Sequence, residues 1–156
     1  MKKYFLMLMV FTPLMLFSQN RQSDLSFTEL LQKTVQTQLS AKGCSYEYVS
    51  EDILYFERGN IAFCFITDKE DINYVRIVIA THCDKNIRNK VLEALNKISS
   101  DTKMLKAYLL EEDDEGIPVR LAIEYFVYST SELKDDFERY LNILSFGYTR
   151  LLVELL

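Results

Sequence analysis

The apolar residues of this chain change their spacing partway along, and that change restricts the fold more than any other feature. Between Leu25 and Ala41 they fall at Phe27, Leu31, Val35 and Leu39, one every four residues. From Tyr46 onward the period becomes two, as in Leu54 and Phe56 and then Ile61, Phe63 and Phe65. A four-residue recurrence buries one face of an α-helix, and a two-residue recurrence buries one face of a strand. A chain that begins with the first pattern, switches to the second and later returns to the first is an α+β protein.

The punctuation places the elements. Ser26 with Glu29 three residues on predicts a capping box for the first helix, and Lys42-Gly43 ends it. Tyr46 to Glu57 contains a strand, bent around Ser50-Glu51-Asp52. Gly59-Asn60 is a two-residue turn signal. Strands follow at Ile61 to Thr67 and, after a turn at Asp68 to Asp71, at Asn73 to Thr81. Ile87, Val91, Leu95 and Ile98 mark a helix from Lys85 to Ser99, with Asp84 as its N-cap. Met104 to Leu110 and Val119 to Tyr128 form a hairpin across Glu111 to Pro118. The last helix runs from Ser131 to Leu155 on the stripe Leu133, Phe137, Leu141, Leu144, Tyr148, Leu151 and Leu155; Ser131 begins it, and Lys134 gives no capping box. The order is α-β-β-β-α-β-β-α. Short turns between successive strands imply an antiparallel five-stranded sheet with the helices packed on one face. No internal repeat or linker divides the chain, so one domain is expected over 19–156.

The segment before that domain reads as an export signal, residues 1–18. Lys2-Lys3 precede an apolar stretch of 14 residues, Tyr4 to Phe17, broken only by Thr12 and Pro13. A helix needs roughly 20 residues to cross a bilayer, so the stretch fits the apolar part of a cleavable signal. Cleavage is expected after Ser18 or Gln19, and no Cys follows to carry a lipid. The expectation is a periplasmic or secreted protein with no stable membrane anchor after cleavage. Without Lys2 and Lys3, 16 basic residues face 23 acidic ones, a net charge of −7. That excludes a general nucleic-acid binder, which needs basic charge to displace counterions, and an anionic membrane surface.

Strand parity sorts the sheet faces. With Gly59-Asn60 as the turn, Arg58 faces Ile61, Phe56 pairs with Phe63, Leu54 with Phe65 and Tyr55 with Cys64. If Thr67 faces Asn73, Phe65 pairs with Val75, Phe63 with Ile77 and Ile61 with Ile79. One face then collects these apolar residues together with Leu105, Ala107, Leu109, Val119, Leu121 and Ile123, as a core under the helices. A slip by one residue would expose all of them. The opposite face carries Tyr55, Cys64, Tyr74, Arg76, Tyr108, Arg120, Glu124, Phe126 and Tyr128. Tyrosine, phenylalanine and arginine in one patch are the composition of protein-binding hot spots. Tyr55, Tyr74, Arg76, Tyr108, Arg120, Phe126 and Tyr128 are therefore the candidate binding residues.

Several local features, taken with the element order, resemble the YbjN-like family, which shares its fold with type III secretion chaperones. They are Asp52-Ile53-Leu54-Tyr55-Phe56 followed by a turn and an aromatic strand, Leu95-Asn96-Lys97 late in the middle helix, and an acidic turn ending in Gly116 before Val119-Arg120-Leu121-Ala122-Ile123-Glu124. Ser131-Glu132-Leu133 at the head of the last helix completes them. Together they span nearly all of the chain after the signal. Members are described as candidate regulators or chaperone-like binders, so the resemblance implies binding and supplies no catalytic residues.

Candidate chemistry is thin. Cys44, Cys64 and Cys83 are an odd number in an exported chain. In a simple meander no pair comes within roughly 7 Å between Cα atoms, as a disulfide requires; a bridge would need the first strand strongly bent. His82-Cys83-Asp84 does not make a nucleophile, because neighbouring strand residues point to opposite faces. Glu111-Glu112-Asp113-Asp114-Glu115 lacks the alternating spacing of a calcium loop and reads as a solvated hairpin tip. No phosphate loop, CxxC or paired-His motif occurs. No metal, cofactor or catalytic residue is expected. The leading expectation is an exported, non-enzymatic binder of an unknown protein or peptide. A homodimeric structural protein of the cell envelope is the alternative, and an unidentified enzyme the third.

Overall fold

The computed structural model describes residues 25–156; the expected export signal lies outside them. The first helix, α1, spans Phe27–Ala41. Its capping box forms as the sequence suggests. Ser26 Oγ accepts from the Glu29 N–H at 3.3 Å, and Glu29 Oε2 accepts from the Ser26 N–H at 2.6 Å. Two amide donors left over at the helix start are thereby satisfied.

Four strands follow: β1 Tyr46–Ser50, β2 Ile53–Arg58, β3 Ile61–Thr67 and β4 Tyr74–Cys83. A short 3₁₀ turn, Lys85–Ile87, leads into α2, Arg88–Asp101. The hairpin of β5, Lys106–Leu109, and β6, Ile117–Phe126, precedes α3, Thr130–Leu155. All strand pairs are antiparallel, in the spatial order β1-β2-β3-β4-β6-β5.

The α+β class and the antiparallel sheet agree with the sequence, with one strand more than expected. The bent strand over Tyr46 to Glu57 is a hairpin of two strands. Glu51-Asp52 forms its tip, where Ser50 Oγ donates to Asp52 Oδ1 at 2.6 Å and the Thr67 N–H donates to the Asp52 carbonyl at 2.9 Å. A polar tip with its own hydrogen bonds folds the chain back instead of merely bending it.

The β2–β3 register is as read from Gly59-Asn60: Arg58 faces Ile61, Phe56 faces Phe63 and Leu54 faces Phe65. The β3–β4 register is displaced by two residues, so that Phe65 faces Ile77 and Thr67 faces Val75. Asp68 explains the longer loop. Its Oδ1 accepts from the N–H groups of Glu70 and Asp71, and the Asp71 carbonyl accepts from the Tyr74 N–H. A displacement by two preserves parity, so both faces keep their residues.

The helix starts also differ. The Asp84 side chain makes no cap hydrogen bond, because the chain passes through the 3₁₀ turn before α2 begins. α3 starts earlier than Ser131: Ser129 is its cap, accepting from the Glu132 N–H at 3.1 Å, while Glu132 Oε2 accepts from the Tyr128 N–H.

All three helices contribute to one core, on the face of Leu54, Phe56, Phe63, Phe65, Ile77, Leu121 and Ile123. Phe56 and Phe63 stack with ring centroids 5.3 Å apart, and Phe137 of α3 meets both Phe56 and Phe65. Each such side chain is worth roughly 1.5–3 kcal/mol of burial. α3 approaches closely at Gly147, where a Cβ would lie 2.4 Å from Leu105 Cδ2.

Candidate functional site

Among the described residues the helices lie on one side of the sheet, and the strand registers put Tyr55, Cys64, Tyr74, Arg76, Tyr108, Arg120, Glu124 and Phe126 on the other, as the sequence suggests, with Tyr128 beyond the ladder. The registers define its rows. Across the middle run Tyr55, Cys64, Val78, Ala122 and Lys106, each the strand partner of the next. On one side lie Arg76 and Glu124, direct partners, with Tyr74 and Phe126 beyond them. On the other side Ala80 faces Arg120, and Arg120 faces Tyr108.

Tyr74, Arg76 and Phe126 form one cluster. The Tyr74 and Phe126 rings lie 5.5 Å apart, and the Arg76 guanidinium is 6.0 Å from the Tyr74 ring centre. The Tyr74 hydroxyl donates to Glu124 Oε2 at 2.8 Å, and Lys106 Nζ donates to the same oxygen. Burial, then the hydrogen bond to Glu124, pushes the Tyr74 phenol up to about 12. Glu124 feels the opposite balance. Desolvation raises its carboxyl, but the donors Lys106 and Tyr74 outweigh it and hold it below its ordinary value.

Tyr108 and Arg120 form a second pair, joined through the β5–β6 ladder. Tyr55 stands apart, toward β1, with its hydroxyl donating to Glu57 Oε1 at 2.6 Å. Tyr128 follows β6 and is 73% exposed; Phe126 is 50% exposed. The candidates thus make a rim of separate groups rather than one continuous aromatic patch.

Between those groups lies a floor that sequence reasoning did not single out. Val78 and Ala122 are buried although no helix among the described residues covers this face. Their parity on β4 and β6 is the signal in the sequence, a weak one because neither side chain is large or charged. Cys64 continues this row; burial pushes its thiol up, with Arg120 opposing in part.

A second feature was not legible. Gln32 of α1 is buried beside the tip of the β1–β2 hairpin. Its Nε2 donates to the Glu51 carbonyl at 2.7 Å and to Thr67 Oγ1 at 3.1 Å. Ser26, Tyr48, Asp52 and Lys69 help to line an open cleft of about 820 Å³ there. These bonds give Gln32 the structural role of tying α1 to the hairpin.

The remaining motifs resolve simply. Cys44, Cys64 and Cys83 are free thiols. Cys83 packs against the core, while His82 points the other way, its Nε2 3.2 Å from Asp113 Oδ2. The acidic loop is organised by the Asp113 side chain, whose Oδ1 accepts from the N–H groups of Glu115 and Gly116. Among the described residues no three His, Cys, Asp or Glu side chains converge as metal ligands, and no helix is long and apolar enough to cross a membrane.

No family model and no curated protein matches the chain in sequence. Solved structures match it in shape. YbjN from E. coli is similar over 74% of this chain and 87% of that one, at 12% identity and a TM-score of 0.60. An uncharacterized protein from Methanothermobacter thermautotrophicus is similar over 78% of this chain and 96% of that one, at 14% identity and a TM-score of 0.53. At such identities the likeness is one of fold, and fold alone does not carry function: the described domain has a YbjN-like α+β fold.

Proposed function

We propose that this chain is an exported, non-enzymatic binding protein that recognises a protein or peptide through the helix-free face of its sheet. The observation that carries the proposal is the segregation of the three described helices to one side, which leaves Tyr74, Arg76, Tyr108, Arg120 and Phe126 around the floor of Val78 and Ala122, with the exposed Tyr128 just past β6. Tyrosine and arginine around a desolvated apolar centre are the residues that most often dominate binding energy at protein interfaces. The expected export signal, Lys2-Lys3 with Tyr4 to Phe17, supports action outside the cytoplasm. The acidic balance of the chain argues against nucleic acid as the partner.

The experiment is affinity capture by the chain without residues 1–18 from the cell envelope, beside a Tyr108→Ala/Tyr128→Ala double variant. A stoichiometric partner held by the parent and lost by the variant supports the reading. Equal retention by both removes the sheet face from it. A stable dimer of the parent at micromolar concentration, dissociated by the same double variant, would replace the partner with a second copy.

A further inference from the structure

One edge of the sheet offers a different kind of site. β1 is an edge strand and is exposed along its whole length. Tyr48 is 48% and Val49 64% exposed. β2 pairs with one side of β1 only, so the outward N–H and C=O groups have no strand beside them among the described residues. Edges that must not pair are commonly guarded by charged side chains, lysine above all, by proline, by bulges or by very short length. β5, at the other edge, is four residues long and begins with Lys106. β1 reads Tyr-Glu-Tyr-Val-Ser, with neither lysine nor proline. The bulge-like shift of register between Tyr48 and Ser50 confines regular pairing to Tyr46–Tyr48, and the one charge there, Glu47, repels an acidic strand but attracts a basic one.

The charges next to this edge are unbalanced. Glu47 faces Tyr55 across the β1–β2 ladder, and Glu57 receives the Tyr55 hydroxyl. With Ser45 and Tyr46 these residues line a hollow of about 260 Å³. Neighbouring charges are already matched, Glu51 with Lys69 and Arg58 with Glu138. Glu47 and Glu57 form no ion pair among the described residues. Two carboxylates beside tyrosine rings suit a lysine or arginine side chain, by charge and by cation–π attraction. Strands lie about 4.8 Å apart, so a long basic side chain on an added strand can reach over the short Ser45 toward Glu57.

We propose that β1 accepts an added β-strand from a partner polypeptide, an extended segment with lysine or arginine at alternate positions, whose basic side chains engage Glu47 and Glu57. Backbone pairing would supply affinity and the alternate side chains specificity. A second copy of this chain fits less well, because antiparallel self-pairing of β1 would bring two Glu47 carboxylates toward each other. The inference uses the sheet edge and not the Tyr108–Tyr128 end of the outer face, so the two readings can fail separately.

The test uses a short synthetic peptide alternating lysine with valine, its glutamate–valine counterpart, and the lysine peptide with alternate backbone nitrogens methylated. Binding is followed at low salt through the amide resonances of the protein. The lysine peptide is expected to shift Tyr46–Ser50. The Glu47→Gln/Glu57→Gln variant should bind it roughly five- to tenfold more weakly, and the methylated and glutamate peptides should not bind. The amide spectrum away from the hairpin shows that the variant is folded. Absence of binding overturns the proposal. So do equal binding of the methylated peptide, unchanged affinity of the double variant, shifts centred on Tyr108 and Tyr128, or a peptide-free dimer paired through β1.

Discussion

The Tyr74 hydroxyl donates to the Glu124 carboxylate at 2.8 Å, from adjacent strands on the helix-free face. The bond couples two groups whose titrations bear on stability at opposite ends of the pH scale. The Glu124 carboxyl is lowered, so its contribution is full above the ordinary carboxylate range and is lost as the pH falls through its folded value. The Tyr74 phenol is raised to about 12, so its contribution is full below the ordinary phenol value and is lost as the pH rises toward 12. Glu124→Gln is expected to cost about 0.5–1 kcal/mol at neutral pH, since the group is partly solvated. It should also make unfolding by urea less sensitive to acid. A variant with the parent's acid profile would show that Glu124 does not couple to folding.

Ser129 caps α3, with its Oγ accepting from the Glu132 N–H. Replacing a serine cap by alanine costs about 0.5–2 kcal/mol, so Ser129→Ala should lower the unfolding midpoint measurably. Ser131→Ala, at the second residue of the helix, should change it little or raise it slightly through better helix propensity. Thermal unfolding of both variants checks the assignment. If Ser131→Ala were the more damaging, the helix would begin where the sequence alone put it.

That pair also marks where the sequence was legible. Gly59-Asn60 is a sharp turn signal, and the β2–β3 register around it follows as expected, down to Tyr55 facing Cys64. The loop from Asp68 to Asn73 has several polar residues able to close it, and the closing pair depends on which carboxylate caps which amide. Asp68 does so here, and β4 sits two residues along. Parity survives such a displacement, which is why the outer face could be read while its neighbours could not. Ser50-Glu51-Asp52 reads as a bend because both flanks are strand-like; its local Ser50–Asp52 bond is joined by tertiary bonds from Thr67 and Gln32, which no local pattern reveals. Gln32 is polar beside an apolar stripe, and no local pattern reveals that it reaches Glu51 and Thr67.

Phe137 joins α3 to the sheet through its contacts with Phe56 and Phe65, with ring centroids at 5.9 and 6.2 Å. Phe137→Ala would leave a cavity at the centre of the core and is expected to cost about 3–5 kcal/mol. Phe137→Leu keeps most of the volume and should cost less. Chemical denaturation of both variants provides the comparison, and a loss below about 1 kcal/mol for the alanine variant would place the core elsewhere.

Gly116 closes the β5–β6 loop against the end of β4. Its φ is +143°, and a Cβ there would lie 2.6 Å from the Cys83 carbonyl oxygen. The backbone conformation and the space both demand glycine. Because the obstacle is backbone of a paired strand, it cannot swing aside as a side chain would. The same loop places Asp113 against His82, so the strain would spread to that contact. Gly116→Ala is expected to destabilise the protein by about 2–4 kcal/mol and to increase amide exchange at Cys83 and Ile117, which are strand partners. Gly59→Ala is the control. Its φ is +62°, but nothing lies within 4 Å of the added carbon, so its cost should stay near 1 kcal/mol, about that of a left-handed residue alone. Equal losses for the two variants would mean that the contact with Cys83 contributes nothing beyond the backbone angle.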